Sequence, residues 1–398
     1  MRLKDQNIIC FAGEDWWFHN PHSNYHLMKV FAKQNRVLFV NSTGIKMPDF
    51  RSDKFAWKRV TNKLKSLARY LKKADHNLYV FTPLALPMIK GSRKALPWLN
   101  KTLLKLQLLA VMNILRLKDP IVWVTALPAQ PVAAYLKKRG LAKCLVYYCV
   151  DNVPFYPGAD REALLGLERA MQKEADLVLF VNHDLFEERK NGNQNTRYLG
   201  HGVDYGHFAD PKSPAMPGPA DLAGIRRPIA GYTGEINGLD FSLISYLAEQ
   251  NPDISFVFIG DIYENLSRDG FSRNVHFMGK RPYEILPDYL HEMACCCLYY
   301  RMEDVFNDYR NPKKLLEYLA AGKPVVSVPI RQMKYFGEVV DVARDREEFN
   351  KLLRNAVSEG GQLRKDKRQN FARGQTWESI AKKASEYISD TLPAKGRL

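Results

Sequence analysis

One stretch of the sequence combines a cation, a carboxylate and helix-boundary residues at a spacing that suits a phosphorylated ligand. It reads NPKKLLEYLAAGKPVVS, residues 311–327. Pro312 suits the first turn of a helix, whose free N–H groups and positive dipole end attract phosphate. Lys314 would add a positive charge beside that anion, and Glu317, one turn on, could accept hydrogen bonds from ribose hydroxyls. An ordinary amphipathic helix explains Lys314 or Glu317 equally well when each is taken alone.

The elements that must position this stretch alternate between short apolar runs and helical patterns. Most of the runs are continuously apolar, as expected for parallel strands that are covered on both faces. Helices are predicted at 25–34, 159–175, 239–250, 283–292 and 312–321. Strands are predicted at 8–12, 36–41, 78–81, 121–125, 145–150, 177–181, 196–199, 229–232, 255–259, 275–278, 295–300 and 324–328.

The alternation is interrupted once, by a segment rich in Pro, Gly and Ala at 211–224, and then restarts. A chain of 398 residues also favours two domains over one. Two doubly wound α/β domains are therefore expected, with a site in the cleft where the carboxyl ends of their strands face each other. The predicted boundaries are a first domain at 1–208, a linker at 209–227, a second domain at 228–375 and a final crossover helix at 376–398.

The composition is that of a folded globular protein, with 46% apolar and 26% charged residues. No run of 18 apolar residues exists, and the N-terminus lacks the pattern of a signal peptide, so the sequence favours a cytoplasmic protein without a spanning helix. The six cysteines show no zinc-ligand spacing and are expected to be reduced core thiols. No metal site is predicted.

The string at 311–327 resembles the donor-binding signature of the GT-B glycosyltransferases, P-x-K-[LV]-x-E-Y-[LM]-A-x-G-x-P-V-[VI], in every element. The segments 229–261 and 274–290 resemble the parts of that fold that surround the nucleotide, and 376–398 resembles its C-terminal crossover helix. The resemblance implies two Rossmann-like domains facing a central cleft. It further implies that Gly234 lies in the turn facing the nucleotide, with Lys314 at the diphosphate and Glu317 at the ribose.

Two more residues are candidates for the nucleotide pocket, Tyr300 at the end of a predicted strand and Arg310 just before the signature. A core tyrosine and a surface arginine are the alternatives.

Within the GT-B fold, the chain most resembles the lipid-linked exopolysaccharide transferases, such as the xanthan-type glucuronosyltransferases and the teichuronic-acid transferases. The residues that carry this likeness are VYYCVDN at 146–152 and HLMKVFAKQNRVLFVNS at 26–42. In such enzymes the proposed base is a carboxylate at the end of the fifth strand, the place that Asp151 occupies here. The alternative is that Asp151 only caps a turn.

One departure from the family pattern concerns the stereochemistry of transfer. Retaining members often carry a glutamate eight residues before the one matching Glu317, whereas this chain has Tyr309 there and Asp308 beside it. That difference favours an inverting mechanism with Asp151 as base. No bound metal or cofactor is expected, because GT-B enzymes generally need neither.

The predicted first βα loop, GEDWWFHNPH, is the candidate acceptor site, since such loops border the cleft. Trp16 could stack on a sugar, and Gly13 and His19 belong to the same loop. For His19, a surface or core role is the alternative.

The net charge of +16 is concentrated in one segment, because residues 51–118 carry 16 lysines and arginines but only Asp53 and Asp75 as acids. A basic amphipathic helix is predicted at 55–73 and a second helix at 96–117. The first would bind an anionic membrane surface. A solvated helical face and RNA binding are the alternatives, although no nucleic-acid-binding motif is present. The predicted membrane-facing residues are Trp57, Lys63, Lys65, Arg69, Lys72 and Lys73.

Together these features predict an enzyme that transfers a sugar from a nucleoside-diphosphate sugar, with UDP expected, to a polyprenyl-diphosphate-linked saccharide. The enzyme would be attached peripherally to the cytoplasmic face of the inner membrane. A sugar-nucleotide epimerase of the same fold and a non-catalytic, membrane-tethered assembly module remain alternatives. The sequence leaves open the donor sugar, the acceptor glycan and linkage, the anomeric outcome and the oligomeric state.

Overall fold

The computed structural model describes residues 1–42, 56–86, 95–210, 218–262, 270–359 and 363–392, with the backbone alone at residues 56, 58, 59 and 95. The chain forms two compact units. The first comprises Met1–Gly200 and Ile380–Leu398, and the second His201–Ser379. Parts of the predicted basic segment (51–55 and 87–94) and of the predicted linker (211–217) lie outside the described residues.

The first unit is built on a sheet whose strands are parallel except at one edge. In the described part of the chain this sheet has eight strands in the order β3-β4-β2-β1-β5-β6-β7-β8, and only β3 pairs antiparallel with its neighbour. The strands are β1 (Asn7–Phe11), β2 (Arg36–Val40), β3 (Leu71–Asp75), β4 (Leu78–Phe81), β5 (Ile121–Val124), β6 (Cys144–Cys149), β7 (Leu177–Phe180) and β8 (Thr196–Tyr198).

The order of these strands reverses between β1 and β5, because the chain first adds strands on one side of β1 and then on the other. Ligands of open α/β sheets bind at the carboxyl ends of the strands where the order reverses. The loops that follow β1, β5 and β6 leave that edge of the first sheet.

Helices pack on this sheet because the central strands are apolar on both faces. In β5 and β6, for example, every residue is buried. Two of the helices begin with side-chain caps, Asp160 accepting from the Ala163 N–H and Asn182 from the Leu185 N–H. The helices are α1 (Ser23–Ala32), α2 (Ala56–Leu67), α3 (Ala95–Ile114), α4 (Gln130–Lys138), α5 (Arg161–Glu174) and α6 (His183–Arg189).

The second unit has a wholly parallel sheet, and its strand order reverses between β9 and β12. In the described part the order is β11-β10-β9-β12-β13-β14. The strands are β9 (Ile229–Thr233), β10 (Ser255–Ile259), β11 (Val275–Phe277), β12 (Cys295–Leu298), β13 (Val325–Ser327) and β14 (Asp341–Val342). The helices are α7 (Tyr205–Phe208), α8 (Phe241–Gln250), α9 (Leu286–Glu292), α10 (Val305–Asp308), α11 (Lys313–Ala320), α12 (Arg346–Ser358) and α13 (Lys365–Arg373).

The last helix, α14 (Trp377–Thr391), begins in the second unit and belongs to the first unit from Ile380 onward. Within the first unit it is held by the hydroxyl of Ser385, which accepts a 2.7 Å hydrogen bond from the Leu3 N–H. Both residues are buried. The first unit therefore includes both ends of the chain.

The structure confirms two doubly wound α/β units and corrects one element. The predicted basic helix at 55–73 ends at Leu67, and Lys72 and Lys73 lie on the antiparallel edge strand β3. Leu71, read as part of the apolar stripe of a helix, instead pairs with Phe81. A strand pairing set by β4 outweighs the helical spacing here, and spacing alone could not reveal it. The first stretch of the first unit is Met1–Gly200, the predicted first domain being 1–208, and the chain returns to this unit at Ile380.

Candidate functional site

The second unit places the donor candidates at the edge of the sheet where the strand order reverses. The loops after β9 and β12 meet there, since the Asp240 N–H donates to the Tyr299 carbonyl at 2.7 Å and the Arg301 N–H to the Gly238 carbonyl at 3.0 Å. Gly234 begins the first of these loops, and Tyr300 lies in the second. The structure therefore brings together two candidates that are 66 positions apart in the chain.

Lys314 lies in the first turn of α11, directed at the same edge. Lys314 is half-buried. Its ammonium lies 3.9 Å from the centroid of the Tyr232 ring and is hydrogen-bonded to the Tyr232 hydroxyl. Removal from water, and then the nearby Arg310 charge, lower the pKa of Lys314 well below its ordinary value. The Arg310 guanidinium lies 5.0 Å from the centroid of the Tyr300 ring. Two cations thus converge on one aromatic cluster, an arrangement that favours an anionic ligand.

Gly234 is favoured both by its own backbone conformation and by the position of Lys314. Its φ of +118° lies in the region that favours glycine, and a Cβ at this position would overlap the Lys314 ammonium. The carbonyl of Gly234 also abuts Gly260 so closely that a Cβ on Gly260 would overlap it. Both glycines let the backbone of the turn pass close to its neighbours, and the Gly234 N–H donates to the Ile259 carbonyl at 2.8 Å.

Glu317 is buried on α11, and its carboxylate forms an ion pair with the Lys313 ammonium at 3.3 Å. The same ammonium lies 5.6 Å from the centroid of the Tyr283 ring, and that ring stacks on His207. The carboxylate is therefore held in place by its own helix. A ribose would meet an acceptor whose position is already fixed.

Three residues that the sequence reading missed support this site. The Tyr318 hydroxyl accepts a 2.8 Å hydrogen bond from the Thr233 N–H and fixes the end of β9. Asn307 donates to the carbonyls of Gly238 and Arg301, 3.0 Å each, and so ties the two loops together. The third is Tyr232 itself. The signal for Tyr318 was present, since it follows Glu317 in the signature, but nothing in the sequence marks Asn307.

Asp151 in the first unit follows β6, two residues after its last residue. Its carbonyl accepts from the Val153 N–H at 2.9 Å, so the chain turns sharply directly after it. The next residue, Asn152, is buried, and its side-chain oxygen accepts a 2.8 Å hydrogen bond from Arg189. The structure thus places Asp151 at the carboxyl end of β6, the strand next to the reversal between β1 and β5. Arg189 holds its turn through Asn152.

The predicted acceptor loop after β1 lies at the same edge of the first sheet. A Cβ on Gly13, whose φ is +82°, would lie 3.2 Å from the Ala126 side chain in the loop after β5. The Trp16 ring packs on Tyr25 at 4.3 Å between centroids. His19 accepts a 3.1 Å hydrogen bond at Nδ1 from the Asp15 N–H. Trp16 and His19 therefore shape the loop itself.

A buried polar cluster, which the sequence did not indicate, fastens this loop to α2. The Ser66 hydroxyl donates to the Asp15 carboxylate at 2.5 Å, and the Asn41 amide donates to Ser66 at 3.2 Å and to Thr82 at 2.9 Å. Asn41, Ser66 and Thr82 are buried. Because each hydrogen bond replaces water that these groups have lost, the cluster specifies how α2 sits on the loop.

Two of the six predicted membrane-facing residues are engaged inside the first unit. The Lys63 ammonium donates to the Ser42 carbonyl at 2.6 Å, and burial lowers the pKa of Lys63. The Arg69 guanidinium lies 4.9 Å from the centroid of the Trp17 ring. Lys65, Lys72 and Lys73 are exposed, and Trp57 is 72% exposed.

No described helix is long and apolar enough to cross a membrane. Within the described ranges there is also no cluster of three or more His, Cys, Asp or Glu side chains that could hold a metal ion. The six cysteines are buried and free of disulfides.

Comparisons with known proteins address the class to which this fold and site belong. Residues 229–355 match the model of the family described as Glycosyl transferases group 1. The matched range contains Gly234, Tyr300, Arg310, Lys314 and Glu317, the whole candidate donor site. The match confirms the resemblance to the GT-B glycosyltransferases.

Solved structures match over almost the whole chain and confirm the GT-B fold. A UDP-forming α,α-trehalose-phosphate synthase of Burkholderia xenovorans is similar with a TM-score of 0.66 and 12% identity, covering 98% of this chain and 100% of that one. An Escherichia coli trehalose-6-phosphate structure bound with UDP-2-fluoro glucose is similar with a TM-score of 0.63 and 14% identity, with coverages of 98% and 100%. At these identities the likeness concerns the fold alone.

One curated relative is a Bacillus subtilis (strain 168) protein, TuaH, provisionally assigned as a teichuronic acid biosynthesis glycosyltransferase. It is 25% identical over 241 residues, which are 57% of this chain and 60% of the relative. The matched region thus spans about three fifths of the length of that relative.

Proposed function

We propose that this protein is a glycosyltransferase that moves a sugar from a nucleoside-diphosphate sugar, UDP being the expected nucleotide, to a lipid-linked saccharide in the synthesis of a cell-surface polysaccharide. The observation that carries the proposal is the Lys314 ammonium beside the Gly234 turn, at the start of α11. The family match over 229–355 and the relative assigned to teichuronic acid biosynthesis support it.

In this mechanism the donor diphosphate lies against Lys314 and the Gly234 turn, and the ribose hydroxyls donate to Glu317. Tyr300 and Arg310 complete the nucleotide pocket. Lys314 and Arg310 would stabilise the negative charge that develops on the leaving nucleoside diphosphate, so no metal ion is expected. Lys314 is suited to this role because the anion replaces the water that its ammonium has lost.

Asp151 would act as the general base. Its carboxylate takes the proton of the acceptor hydroxyl as the hydroxyl oxygen forms a bond to the anomeric carbon, and the bond from that carbon to the diphosphate oxygen breaks on the opposite face. The anomeric configuration is therefore inverted. Gly13, Trp16 and His19 would border the acceptor on the same edge of the first sheet as Asp151.

The donor site is tested by isothermal titration of UDP, GDP and ADP into wild-type protein and the variants Lys314→Ala and Glu317→Ala. We expect micromolar binding of UDP, weakened at least about tenfold in both variants. Arg346→Ala, which removes an exposed cation in the same unit, is the matched control and should bind as the wild type does. Absence of nucleotide binding by folded wild-type protein would favour a non-catalytic tethering module. Turnover of a UDP-sugar without any acceptor would favour an epimerase.

We further propose that the first unit docks on an anionic membrane at the cytoplasmic face, where a polyprenyl-diphosphate-linked acceptor would lie. The support is the exposure of large apolar side chains together with lysines. On α2 these are Trp57 and Leu64, 72% and 60% exposed, beside the exposed Lys65. On α3, Trp98 and Ile114 are each 66% exposed. Exposed apolar residues that alternate with lysines suit the boundary between lipid headgroups and acyl chains.

Co-sedimentation with phosphatidylglycerol vesicles tests this docking. Wild-type protein should sediment with these vesicles, and less with phosphatidylcholine vesicles, while the double variant Trp57→Ala, Leu64→Ala should lose most of the binding. Tyr335→Ala, at an exposed aromatic residue of the second unit, is the control that should sediment as the wild type does. Equal sedimentation of the double variant and the wild type would contradict docking through α2.

A further inference from the structure

A chain of three buried or half-buried polar side chains lies beneath the turn that carries Asp151. The Glu168 carboxylate on α5 is 2% exposed and accepts a 2.6 Å hydrogen bond from Arg189, the last residue of α6. Arg189 donates through its other terminal nitrogen to the Asn152 side-chain oxygen at 2.8 Å. The guanidinium therefore links two helices to the residue directly after Asp151.

The link acts on Asp151 because Asn152 is the centre of a three-residue turn. The Val153 N–H donates to the Asp151 carbonyl, and Asn152 has φ −77° and ψ 59°, the values of an inverse γ-turn. In so short a turn, holding the middle side chain also holds the peptide planes on either side of it. The orientation of Asp151 thus depends on where Arg189 places Asn152.

The pair has the features of a positioning device. A guanidinium presents its donors in a planar fork, so a bond from one nitrogen to Glu168 fixes the direction of the other nitrogen. Glu168 is in turn held by the Tyr147 hydroxyl at 3.2 Å, on the strand that leads to Asp151. Buried ion pairs often add little to stability compared with apolar packing, and in some proteins their role is to specify geometry.

We propose that Glu168 and Arg189 are positioning residues that hold Asp151 in the orientation needed to accept a proton from the acceptor hydroxyl. The inference rests on the proposed function, in which Asp151 is the base. Neither residue touches the substrate. The pair acts through Asn152.

Backbone hydrogen exchange in the intact protein tests the geometry without any substrate. The N–H groups of Val153, Phe155 and Tyr156 are hydrogen-bonded within the turn and report on it. We expect their exchange to become at least about tenfold faster in Asn152→Ala and in Glu168→Gln, with the N–H groups of β7 unchanged. Tyr147→Phe removes a hydrogen bond to the same carboxylate but leaves the link to Asn152, and it should exchange as the wild type does.

Asn152→Ala leaves the ion pair between Glu168 and Arg189 intact. It therefore tests the same link even where Glu168→Gln does not fold. Unchanged exchange at the turn in Asn152→Ala would overturn the proposal. So would faster exchange in Glu168→Gln that spreads equally over β6 and β7, because that pattern indicates a merely structural role.

Turnover separates this inference from the proposed function. UDP release is measured with UDP-glucose or UDP-glucuronate and a polyprenyl-diphosphate disaccharide in detergent. Asn152→Ala should lower kcat about tenfold with an unchanged KM for the donor, and Asp151→Asn should abolish turnover. Full activity of Asp151→Asn would contradict the base assignment in the proposed function. An inactive Asp151→Asn beside a fully active Asn152→Ala would overturn the positioning role alone.

Discussion

The ammonium of Lys314 lies so close to the backbone of Gly234 that a side chain at position 234 would displace it. The substitution would also force a φ of +118° on a residue with a Cβ. At the scale of single residues, the candidate donor site is thus a cation that lies against aromatic rings and is closed on one side by a glycine. The next two predictions concern this pair.

Gly234→Ala should weaken UDP binding at least about tenfold, because the added Cβ displaces the Lys314 ammonium and strains the turn. Titration calorimetry measures the loss. Gly337→Ala is the control, since a Cβ at Gly337 meets no neighbouring atom within 4 Å and its φ is negative. Wild-type affinity in Gly234→Ala would show that the turn does not face the nucleotide.

UDP affinity should fall as the pH rises through the lowered pKa of Lys314. Burial and, after it, the Arg310 charge lower the pKa of Lys314 in the free protein, so this lysine loses its proton at a lower pH than an ordinary lysine does. A bound diphosphate favours the ammonium, and binding above the lowered pKa must therefore take up a proton. The affinity then decreases by up to about tenfold per pH unit. Titrations in buffers of different ionisation enthalpy would detect the proton, and a pH-independent affinity without proton uptake would contradict this assignment.

At the scale of elements, α2 has two different faces. On its inner face, Ser66 donates to Asp15 in the loop after β1, and Lys63 donates to the Ser42 carbonyl after β2. Trp57 and Leu64 lie exposed. The helix that would meet a membrane is therefore also the helix that supports the predicted acceptor loop. Loss of the buried Ser66 hydroxyl would leave the Asp15 carboxylate and the Asn41 amide with fewer partners.

Ser66→Ala should destabilise the first unit by about 1–3 kcal/mol, the usual result of leaving buried polar groups unsatisfied. Urea unfolding followed by tryptophan fluorescence measures the change. The signal reports mainly on the first unit, because Trp16, Trp17, Trp57, Trp98 and Trp123 lie there and only Trp377 lies in the second. Thr61→Ala, at an exposed position of α2, is the control and should change the free energy of unfolding much less. An equal effect of both substitutions would argue against a specific role for the Ser66 cluster.

At the scale of the whole molecule, the candidate donor groups all lie in the second unit, while Asp151 and the predicted acceptor loop lie in the first. This division predicts how a nucleotide alone should act. In the proposed function UDP would contact the loops after β9 and β12 and the start of α11, and no residue of the first sheet.

Saturating UDP should slow backbone hydrogen exchange at 233–239 and at 313–317, and leave the exchange of β7 unchanged. Mass spectrometry of exchanged peptides makes the comparison within one sample. Slower exchange confined to the first unit would place the nucleotide there and contradict the donor assignment.

The sequence by itself determined much of the second unit and its candidate site. The signature at 311–327 holds its information locally, because a helix start, a cation and a carboxylate one turn apart need no distant partner to be recognised. Continuous apolar runs likewise predicted the buried parallel strands of both sheets. The GT-B resemblance followed from these local patterns, and the comparisons confirmed it.

Only the tertiary structure decided the features that depend on residues far apart in the chain. Leu71–Asp75 forms a strand because β4 offers an edge, although its spacing suits a helix. Lys63 turns inward because the Ser42 carbonyl lies within reach. The link from Glu168 through Arg189 to Asn152 joins three elements separated by 16 and 21 positions, and no local pattern marks it. Such contacts are set by the packing of whole elements, so a single sequence carries no periodic signal for them.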